Sequence, residues 1–270
     1  MLAPQRSSIN AGSQENYPEV GWMKQHEAVI RAVEELGGFA TLAQIYQKAL
    51  SYPNVRWGTK TPQASIRRIV QKRPEFFKIR PGLWGLREHE KDILKTLQIG
   101  DETTPAQQEA FDHTYYQGII VQWGNLLQCT TYAPPQDRNR LFLDKPLREL
   151  ITTESIPPFT YPELVQRAGT VDVIWFSNSA HPFPVRMFEV EHTTDFHHSL
   201  IKFRHFLHFR TEFFVVASAH RKREFEEKLQ RDHRELCAHV RFLNYEALVK
   251  VYSKDVERYQ AYEEAGIVPL

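Results

Sequence analysis

The chain has 270 residues, 41% hydrophobic and 25% charged, which is enough to bury the core of one large or two smaller domains, and we expect two. No run of about eighteen apolar residues occurs, and the first twenty residues lack the basic-then-apolar order of a signal peptide, so we expect no membrane contact and a cytoplasmic location. The two cysteines, Cys129 and Cys237, lie far apart in sequence and fit neither a disulfide framework nor a CxxC metal site.

Charge is unevenly distributed along the chain. The totals nearly balance, with 34 basic and 33 acidic residues, and this balance alone argues against a nucleic-acid partner. Between Thr41 and Arg87, however, ten basic residues accompany a single acid, Glu75, so this stretch carries +9 and the rest of the chain carries −8. A basic unit beside an acidic one indicates that the first holds a polyanion while the second keeps carboxylates for a metal.

The first 87 residues predict a loose leader followed by a small helical domain. Residues 1–19 are rich in Ser, Gln and Asn and lack an apolar period. Within residues 20–87, the best-marked helix begins with Thr61 as its N-cap and Pro62 at its first helical position. Two other helices are predicted at residues 22–36 and 41–50, and the two strands of a hairpin wing at residues 76–79 and 83–86.

Three helices followed by a hairpin form a winged helix-turn-helix. The segments WGTKTPQASIRRIVQ and FFKIRPGLWGL are similar to those of the HARE-type winged helix, a module of chromatin proteins that is also attached to restriction endonucleases. This resemblance implies that the third helix enters the major groove of double-stranded DNA. The expected contacts are Gln63, Ser65, Arg67 and Arg68 to base edges and Lys60, Lys72 and Arg80 to phosphates. The alternative is a solvated basic face on a module that binds protein.

Residues 88–104 are predicted as a linker that includes a charged short helix, and residues 105–270 as an α/β domain. The first helix of this domain spans residues 105–127 and carries four side chains that are equally placed to reach a metal site: Glu109, Asp112, His113 and Gln117. An irregular, proline-rich insertion at residues 134–169 interrupts the core. Strands are predicted at residues 128–133, 171–176, 185–191, 212–219 and 240–244, the fourth of them parallel and central, and helices after Thr193 or Thr194 and at residues 221–235 and 245–264.

Three acids lie on two neighbouring strands of this domain. Glu189 and Glu191 share one face of their strand because side chains alternate, whereas Phe188 and Val190 point to the opposite layer. Asp172 lies on the partner strand of the hairpin. Negative charge concentrated at one spot is normally tolerated only when a cation neutralises it, so the sequence predicts a magnesium site. The alternative is an exposed edge strand with ordinary solvated acids.

Asp172, followed seventeen positions later by the triplet Glu189-Val190-Glu191, resembles the PD-(D/E)XK nuclease core found in many restriction endonucleases. The resemblance implies an α/β/α domain with a mixed sheet that hydrolyses DNA phosphodiester bonds with Mg²⁺, or with Mn²⁺ in its place. Asp172 and Glu189 would be the metal ligands, with the Val190 carbonyl as a further one. Glu191 would orient the attacking water, accept its proton or bind a second metal. The sequence departs from the family pattern at Glu191, where lysine is usual.

The helix that follows these strands has one face formed by His197, His198, Lys202, Arg204, His205 and His208. Four histidines suggest zinc, but no cysteine accompanies them, and we prefer a solvated or phosphate-facing surface. Lys202 is the candidate for the lysine missing at position 191, because in this fold a catalytic lysine can move from the strand to the following helix. An ordinary surface lysine is the alternative.

The sequence therefore predicts an endodeoxyribonuclease in which an N-terminal winged helix domain locates the site and a C-terminal nuclease domain cuts. A role in restriction or phage defence follows from the resemblance alone, which also leaves recognition of a modified base open. Because each chain has one catalytic site and one site cuts one strand, we expect a homodimer, at least transiently. The alternatives are a non-catalytic DNA-binding protein or regulator on a decayed nuclease fold, and a protein-interaction scaffold.

Overall fold

The computed structural model describes residues 21–267, so the predicted leader, residues 1–19, lies outside the described residues. The first part of the molecule packs three helices on a small antiparallel sheet. In chain order its elements are α1 (Gln25–Glu35), β1 (Phe39–Thr41), α2 (Leu42–Leu50), α3 (Pro62–Lys72), β2 (Phe76–Arg80) and β3 (Leu83–Leu86). The sheet has the order β1-β3-β2, so the predicted hairpin is present and β1 adds a third strand that the sequence does not predict.

Local sequence sets where these helices begin and end. Thr41 caps α2 because its hydroxyl accepts a hydrogen bond from the Gln44 N–H at 3.3 Å, while the Gln44 side chain accepts one from the Thr41 N–H at 2.8 Å. Pro62 occupies the first position of α3 as predicted, but the Thr61 hydroxyl does not bond to the helix. Helix α1 ends where Gly37 adopts a φ of +90°, a conformation that glycine adopts without steric penalty.

Residues 88–104, predicted as a linker, contain the helix α4 (Glu90–Thr96). The apolar side chains of this segment are buried in the same core cluster as residues of the following domain; they are Ile93, Leu97 and Ile99. The segment is therefore packed against the protein over much of its length.

The second part of the molecule is built on a five-stranded mixed sheet. Its elements are α5 (Pro105–Leu126), β4 (Thr130–Tyr132), β5 (Leu141–Phe142), β6 (Lys145–Pro146), α6 (Pro162–Ala168), β7 (Val173–Phe176), β8 (Pro184–Glu191), α7 (His197–Arg204), β9 (Glu212–Ala217), α8 (Lys222–Asp232), β10 (Val240–Asn244) and α9 (Tyr245–Glu264). The sheet order is β10-β9-β8-β7-β4, in which β8, β9 and β10 run parallel and β7 is antiparallel to both of its neighbours. Strand β9 is parallel as predicted, but β8 is the central strand.

Two predictions in this part need correction. The insertion at residues 134–169 is not wholly irregular, because it contains the β5–β6 hairpin and helix α6, which are too short to show a periodic pattern. The N-cap of α7 is Phe196, and neither Thr193 nor Thr194 takes that position. The Asp195 carboxylate instead accepts a hydrogen bond from a free N–H of the first turn, that of residue 197, at 2.9 Å.

Helices cover both faces of the sheet, α5 and α9 on one face and α7 and α8 on the other. Strand β8 shows how the sequence creates these layers. Phe188 and Val190 belong to the core cluster beneath α5 and α9, while Met187 belongs to the cluster beneath α7 and α8. Glu189 lies on the Met187 side and therefore faces α7, as the predicted alternation requires.

The two parts of the molecule share one core. Phe77, Ile79 and Leu83 of the β2–β3 hairpin belong to the same cluster of buried side chains as Tyr115 of α5 and Tyr252 of α9. Full burial of an aliphatic or aromatic side chain contributes about 1.5–3 kcal/mol, so several such residues hold the two parts firmly together.

Candidate active site

Asp172 lies one residue before β7 and is held by groups from two other elements. The Val190 N–H of β8 donates a hydrogen bond to its carboxylate at 2.8 Å, and Nε2 of His113 in α5 lies 3.2 Å from the same oxygen. The Gln117 amide, one turn along α5, donates to the Asp172 backbone carbonyl at 2.8 Å. Burial raises the pKa of Asp172, but the hydrogen bond and charge of His113, the charge of Lys202 and the hydrogen bond from Val190 together outweigh burial and lower it. The carboxylate is therefore ionised and fixed in position.

Glu189 is 3% exposed, and its main partner is Lys202 of α7. The Lys202 ammonium lies 2.8 and 3.0 Å from the two carboxylate oxygens and also donates to the Thr170 carbonyl at 2.8 Å. Burial, followed by the charge of Asp172, raises the pKa of Glu189 well above its ordinary value, while Lys202 opposes both effects. Burial lowers the pKa of Lys202, but the charges of Glu189 and Asp172 reverse this and raise it, so the ammonium stays protonated.

Glu191 is also buried, but its partners are hydroxyl groups. Ser199 and Thr194 both donate hydrogen bonds to its carboxylate, and the Ser199 hydroxyl lies 3.4 Å from Glu189 as well. Ser199 therefore links the two glutamates of β8. The structure brings all four predicted catalytic residues to one end of the sheet. Lys202 is paired with Glu189, and Glu191 lies beside this pair.

Of the four candidate side chains on α5 that the sequence predicted, two reach this site. His113 and Gln117 contact Asp172, and Gln117 also donates to Asp137 of the insertion at 3.1 Å. Asp112 instead forms an ion pair with Arg80 of β2 at 2.5 Å. The i, i+4 spacing of His113 and Gln117 places them on one face of α5, but only the docking of α5 decides that this face meets Asp172.

His192 follows Glu191 and contacts Tyr245, the first residue of α9. Its Nδ1 lies 2.9 Å from the Tyr245 hydroxyl, which donates to the Glu191 carbonyl at 3.0 Å. Burial, followed by the charge of His113, lowers the pKa of His192 to about 4, so this imidazole is neutral at pH 7.

Among residues 21–267, three buried atoms here lack a hydrogen-bond partner: Nε2 of His192, Nδ1 of His113 and Oε1 of Gln117. Buried polar atoms normally have partners, so these three atoms are hydrogen-bonding groups of the site that no other group of the described residues satisfies.

The acids at this site fit a hard divalent cation. No three His, Cys, Asp or Glu side chains between residues 21 and 267 are arranged to hold a metal by themselves. Mg²⁺, however, is usually bound through one or two carboxylates and keeps several waters, and Asp172 and Glu189 supply two carboxylates. The N–H and C=O of a strand residue point to the same edge, so the Val190 carbonyl faces Asp172 as its N–H does. Burial and the charge of Asp172 raise the pKa of Glu189, and a bound cation would oppose both effects.

The structure divides the seven predicted DNA contacts into two groups. Gln63 donates to Gln260 of α9 at 3.1 Å, Arg67 forms an ion pair with Glu257 of α9, and Arg80 is paired with Asp112, so these three side chains are engaged by the second part of the molecule. The other contacts lie on the surface of the first part: Lys60, Arg68 and Lys72 are exposed, and Ser65 is half-buried.

Residues 95–265 match the family model described as the Type II restriction enzyme NmeDI C-terminal domain. The chain belongs to this family. The match extends from the end of α4 through α9 and includes Asp172, Glu189, Glu191 and Lys202, so the site described above lies within an NmeDI-type, restriction-enzyme-like nuclease domain. Comparison with curated proteins and with solved structures found no match. No helix within residues 21–267 has both the length and the apolar character needed to cross a membrane.

Proposed function

We propose that this protein is a magnesium-dependent endodeoxyribonuclease of the PD-(D/E)XK type that acts in restriction or phage defence. The observation that carries the proposal is the meeting of Asp172, Glu189 and Lys202 at one end of the mixed sheet, within a domain of the NmeDI C-terminal family. Two acids able to hold a hard cation, together with a lysine that adds positive charge, are groups that phosphodiester hydrolysis uses.

Each residue has a task in this proposal. Asp172, Glu189 and the Val190 carbonyl would hold Mg²⁺, or Mn²⁺ in its place, and the bound ion would neutralise charge on the scissile phosphate. His113 and the Val190 N–H keep the Asp172 carboxylate in place. The protonated Lys202, which donates to Glu189 and to the Thr170 carbonyl, would add positive charge near a phosphoryl oxygen that gains negative charge during the reaction.

Glu191 occupies the strand position where the family pattern has lysine. Hydroxyl groups of Ser199 and Thr194 donate to its carboxylate, and no cation is paired with it among the described residues. We assign to Glu191 the orientation of the attacking water and the acceptance of its proton. Cationic and proton-accepting roles are thereby divided between Lys202 and Glu191.

We also propose that residues 20–87 form a winged helix domain that binds double-stranded DNA and locates the cleavage site. Its three helices, its hairpin and its excess of positive charge support this role. Of the predicted DNA contacts on this domain, Lys60, Arg68 and Lys72 are the exposed cations. We further propose that the active form is a homodimer.

The test is incubation of the full chain with unmodified plasmid and with plasmid carrying modified cytosine, each in Mg²⁺, in Mn²⁺ and in a chelator. We expect at least one plasmid to be cut in the presence of either metal and neither to be cut in the chelator. A folded protein that binds both plasmids and cuts neither in either metal would overturn the nuclease assignment. That outcome would favour the non-catalytic DNA-binding protein.

A further inference from the structure

A groove of about 490 Å³ lies where the two parts of the molecule meet, and we call it the interface groove. One wall consists of α3 and the β2–β3 hairpin, and the other wall consists of α9. The floor is apolar and includes Leu42, Trp84 and Val249. The groove does not include the candidate active site.

The rim of the interface groove carries unbalanced positive charge. Lys78 of β2 and Lys250 of α9 are exposed, and no carboxylate among residues 21–267 lies within 4.0 Å of either ammonium. Two further cations on the rim, Arg67 and Lys254, share the carboxylate of Glu257. A single acid, Glu246, lines the groove itself, so four cations meet two carboxylates in and beside it.

The cations stand on both sides of the apolar floor. Lys78 and Trp84 are directly opposite in the β2–β3 ladder, so their side chains share one face of the hairpin. Lys250 and Lys254 are one turn apart on α9, on the face that lines the groove. An apolar strip is thus bordered by one row of positive charge from each part of the molecule.

We propose that the interface groove binds the sugar–phosphate backbone of duplex DNA, an inference that rests on the proposed nuclease function and adds the path of its substrate. Lys78 and Lys250 meet the phosphates, and Trp84 meets the apolar carbons of deoxyribose. Because each wall belongs to a different part of the molecule, a strand in the groove has a fixed position relative to both α3 and the nuclease sheet.

The contacts of α3 engage two of the side chains that were predicted to read bases. Gln63 and Arg67, expected at base edges, are bound to Gln260 and Glu257 of α9. To reach DNA bases they would have to give up these bonds. The bonds of Gln63 and Arg67 hold α9 beside α3 and thereby form the groove. Within the groove, Lys78 and Lys250 remain available to phosphate.

The experiment measures binding of the full chain to a fluorescent DNA duplex, without divalent metal, over a range of salt concentrations. The parent is compared with Lys78→Ala/Lys250→Ala and with a matched control, Lys91→Ala/Lys95→Ala, which removes two exposed lysines from α4 outside the groove. We expect the first double variant to weaken binding and to reduce the slope of log affinity against log salt by about 2, because each lost phosphate contact removes about one released counterion. The control should keep the slope of the parent.

Three outcomes would overturn the proposal: no duplex binding by the parent at low salt, a parent-like slope in Lys78→Ala/Lys250→Ala, or an equal loss in the control. Poly-glutamate, an acidic peptide, serves as a competitor. If Lys78 and Lys250 are needed for binding poly-glutamate but not for binding DNA, that result would also overturn the proposal. Cleavage plays no part in the assay. A protein that binds DNA through the groove but never cuts would therefore contradict the proposed nuclease function and leave this inference standing.

Discussion

Lys202 provides the positive charge closest to the buried acids of the site. Lys202→Ala should slow plasmid cleavage in saturating Mg²⁺ about a hundredfold or more, because it removes the positive charge that we propose lies beside the reacting phosphate. Lys202→Arg, which keeps the charge, should retain part of the activity. Lys222→Ala removes an exposed lysine at the start of α8 and is the matched control, with cleavage at the parent rate. Near-parent cutting by Lys202→Ala would make Lys202 an ordinary surface lysine.

Asp172→Asn and Glu189→Gln should each abolish cleavage while DNA binding persists, because each removes a carboxylate proposed to hold Mg²⁺. A second measurement does not depend on activity. Mg²⁺ should raise the melting temperature of the parent, since a ligand that binds only the folded state stabilises it, and should raise that of neither variant. Cleavage at the parent rate by either variant would contradict the assignment of these ligands.

The two acids should differ in their effect on stability. The pKa of Asp172 is lowered on folding, so its ionised carboxylate stabilises the fold above its ordinary pKa of 3.8, and this contribution is lost as the pH falls through the folded value. Asp172→Ala should therefore cost about 1–3 kcal/mol at pH 7, because His113 loses its carboxylate partner and the Val190 N–H loses its acceptor.

The pKa of Glu189 is raised on folding, so its contribution declines as the pH rises from its ordinary pKa of 4.5 through the folded value. In the absence of Mg²⁺ at pH 7, Glu189→Gln should therefore keep or raise the free energy of unfolding. Denaturant melts at several pH values measure both variants. Equal destabilisation by Asp172→Ala and Glu189→Gln would show that the two carboxylates lie in similar environments, contrary to their contacts.

Sequence patterns could locate some of these residues and not others. Strand alternation placed Glu189 and Glu191 on one face, and the structure has them there. Only a fold-specific expectation pointed to Lys202. The contribution of Ser199 could not be predicted, because its hydroxyl reaches the glutamates only after α7 docks on the sheet, and a helical period does not reveal which polar residue faces a neighbouring strand.

The turn between β2 and β3 packs directly against α9. Gly82 has a φ of +77°, and a Cβ at this position would overlap the Val249 side chain. Gly82→Ala should lower the free energy of unfolding by about 1–3 kcal/mol through strain and overpacking. Gly37→Ala, at a φ of +90° with no atom near the added Cβ, is the control for backbone strain alone and should cost less. Thermal melts measure both, and adding Val249→Ala to Gly82→Ala should restore part of the loss.

At this scale, predictability varied from element to element. The predicted bounds of β10 and α9 agree with the structure. The hairpin β5–β6 and helix α6 carry too few residues to show a period. Thr194 resembles an N-cap in sequence, but its hydroxyl is committed to Glu191, so Asp195 takes the free N–H of α7.

For the whole molecule we expect cleavage to require two chains. Each chain holds one copy of the Asp172, Glu189 and Glu191 set, and under the proposed function one such site would cut one strand. The rate of double-strand cutting in dilute protein should therefore rise more steeply than the first power of protein concentration. To test this expectation, linear and nicked plasmid are measured separately while the protein concentration is varied over a range of about tenfold or more. First-order dependence with both strands cut together would contradict it.

Composition predicted a basic first part and an acidic second part, but it could not predict how they are joined. Phe77 and Ile79 alternate along β2 as core residues of any small sheet would, and nothing in their pattern indicates that their partners are Tyr115 and Tyr252. The charged residues around α4 likewise indicated a linker, whereas Ile93 packs into the shared core. Contacts between distant segments depend on the complete fold and leave no local period.

Because of the shared core, neither part of the protein can simply be replaced by the corresponding part of another protein. A foreign N-terminal unit joined at residue 95 would lack the side chains that fill the space beside Tyr115 and Tyr252, and it would leave Val249 without the close contact of Gly82. Such a chimera would need a redesigned interface as well as a new connection. This architecture tolerates recombination between related genes when the hairpin β2–β3 and α9 are inherited together from the same parent.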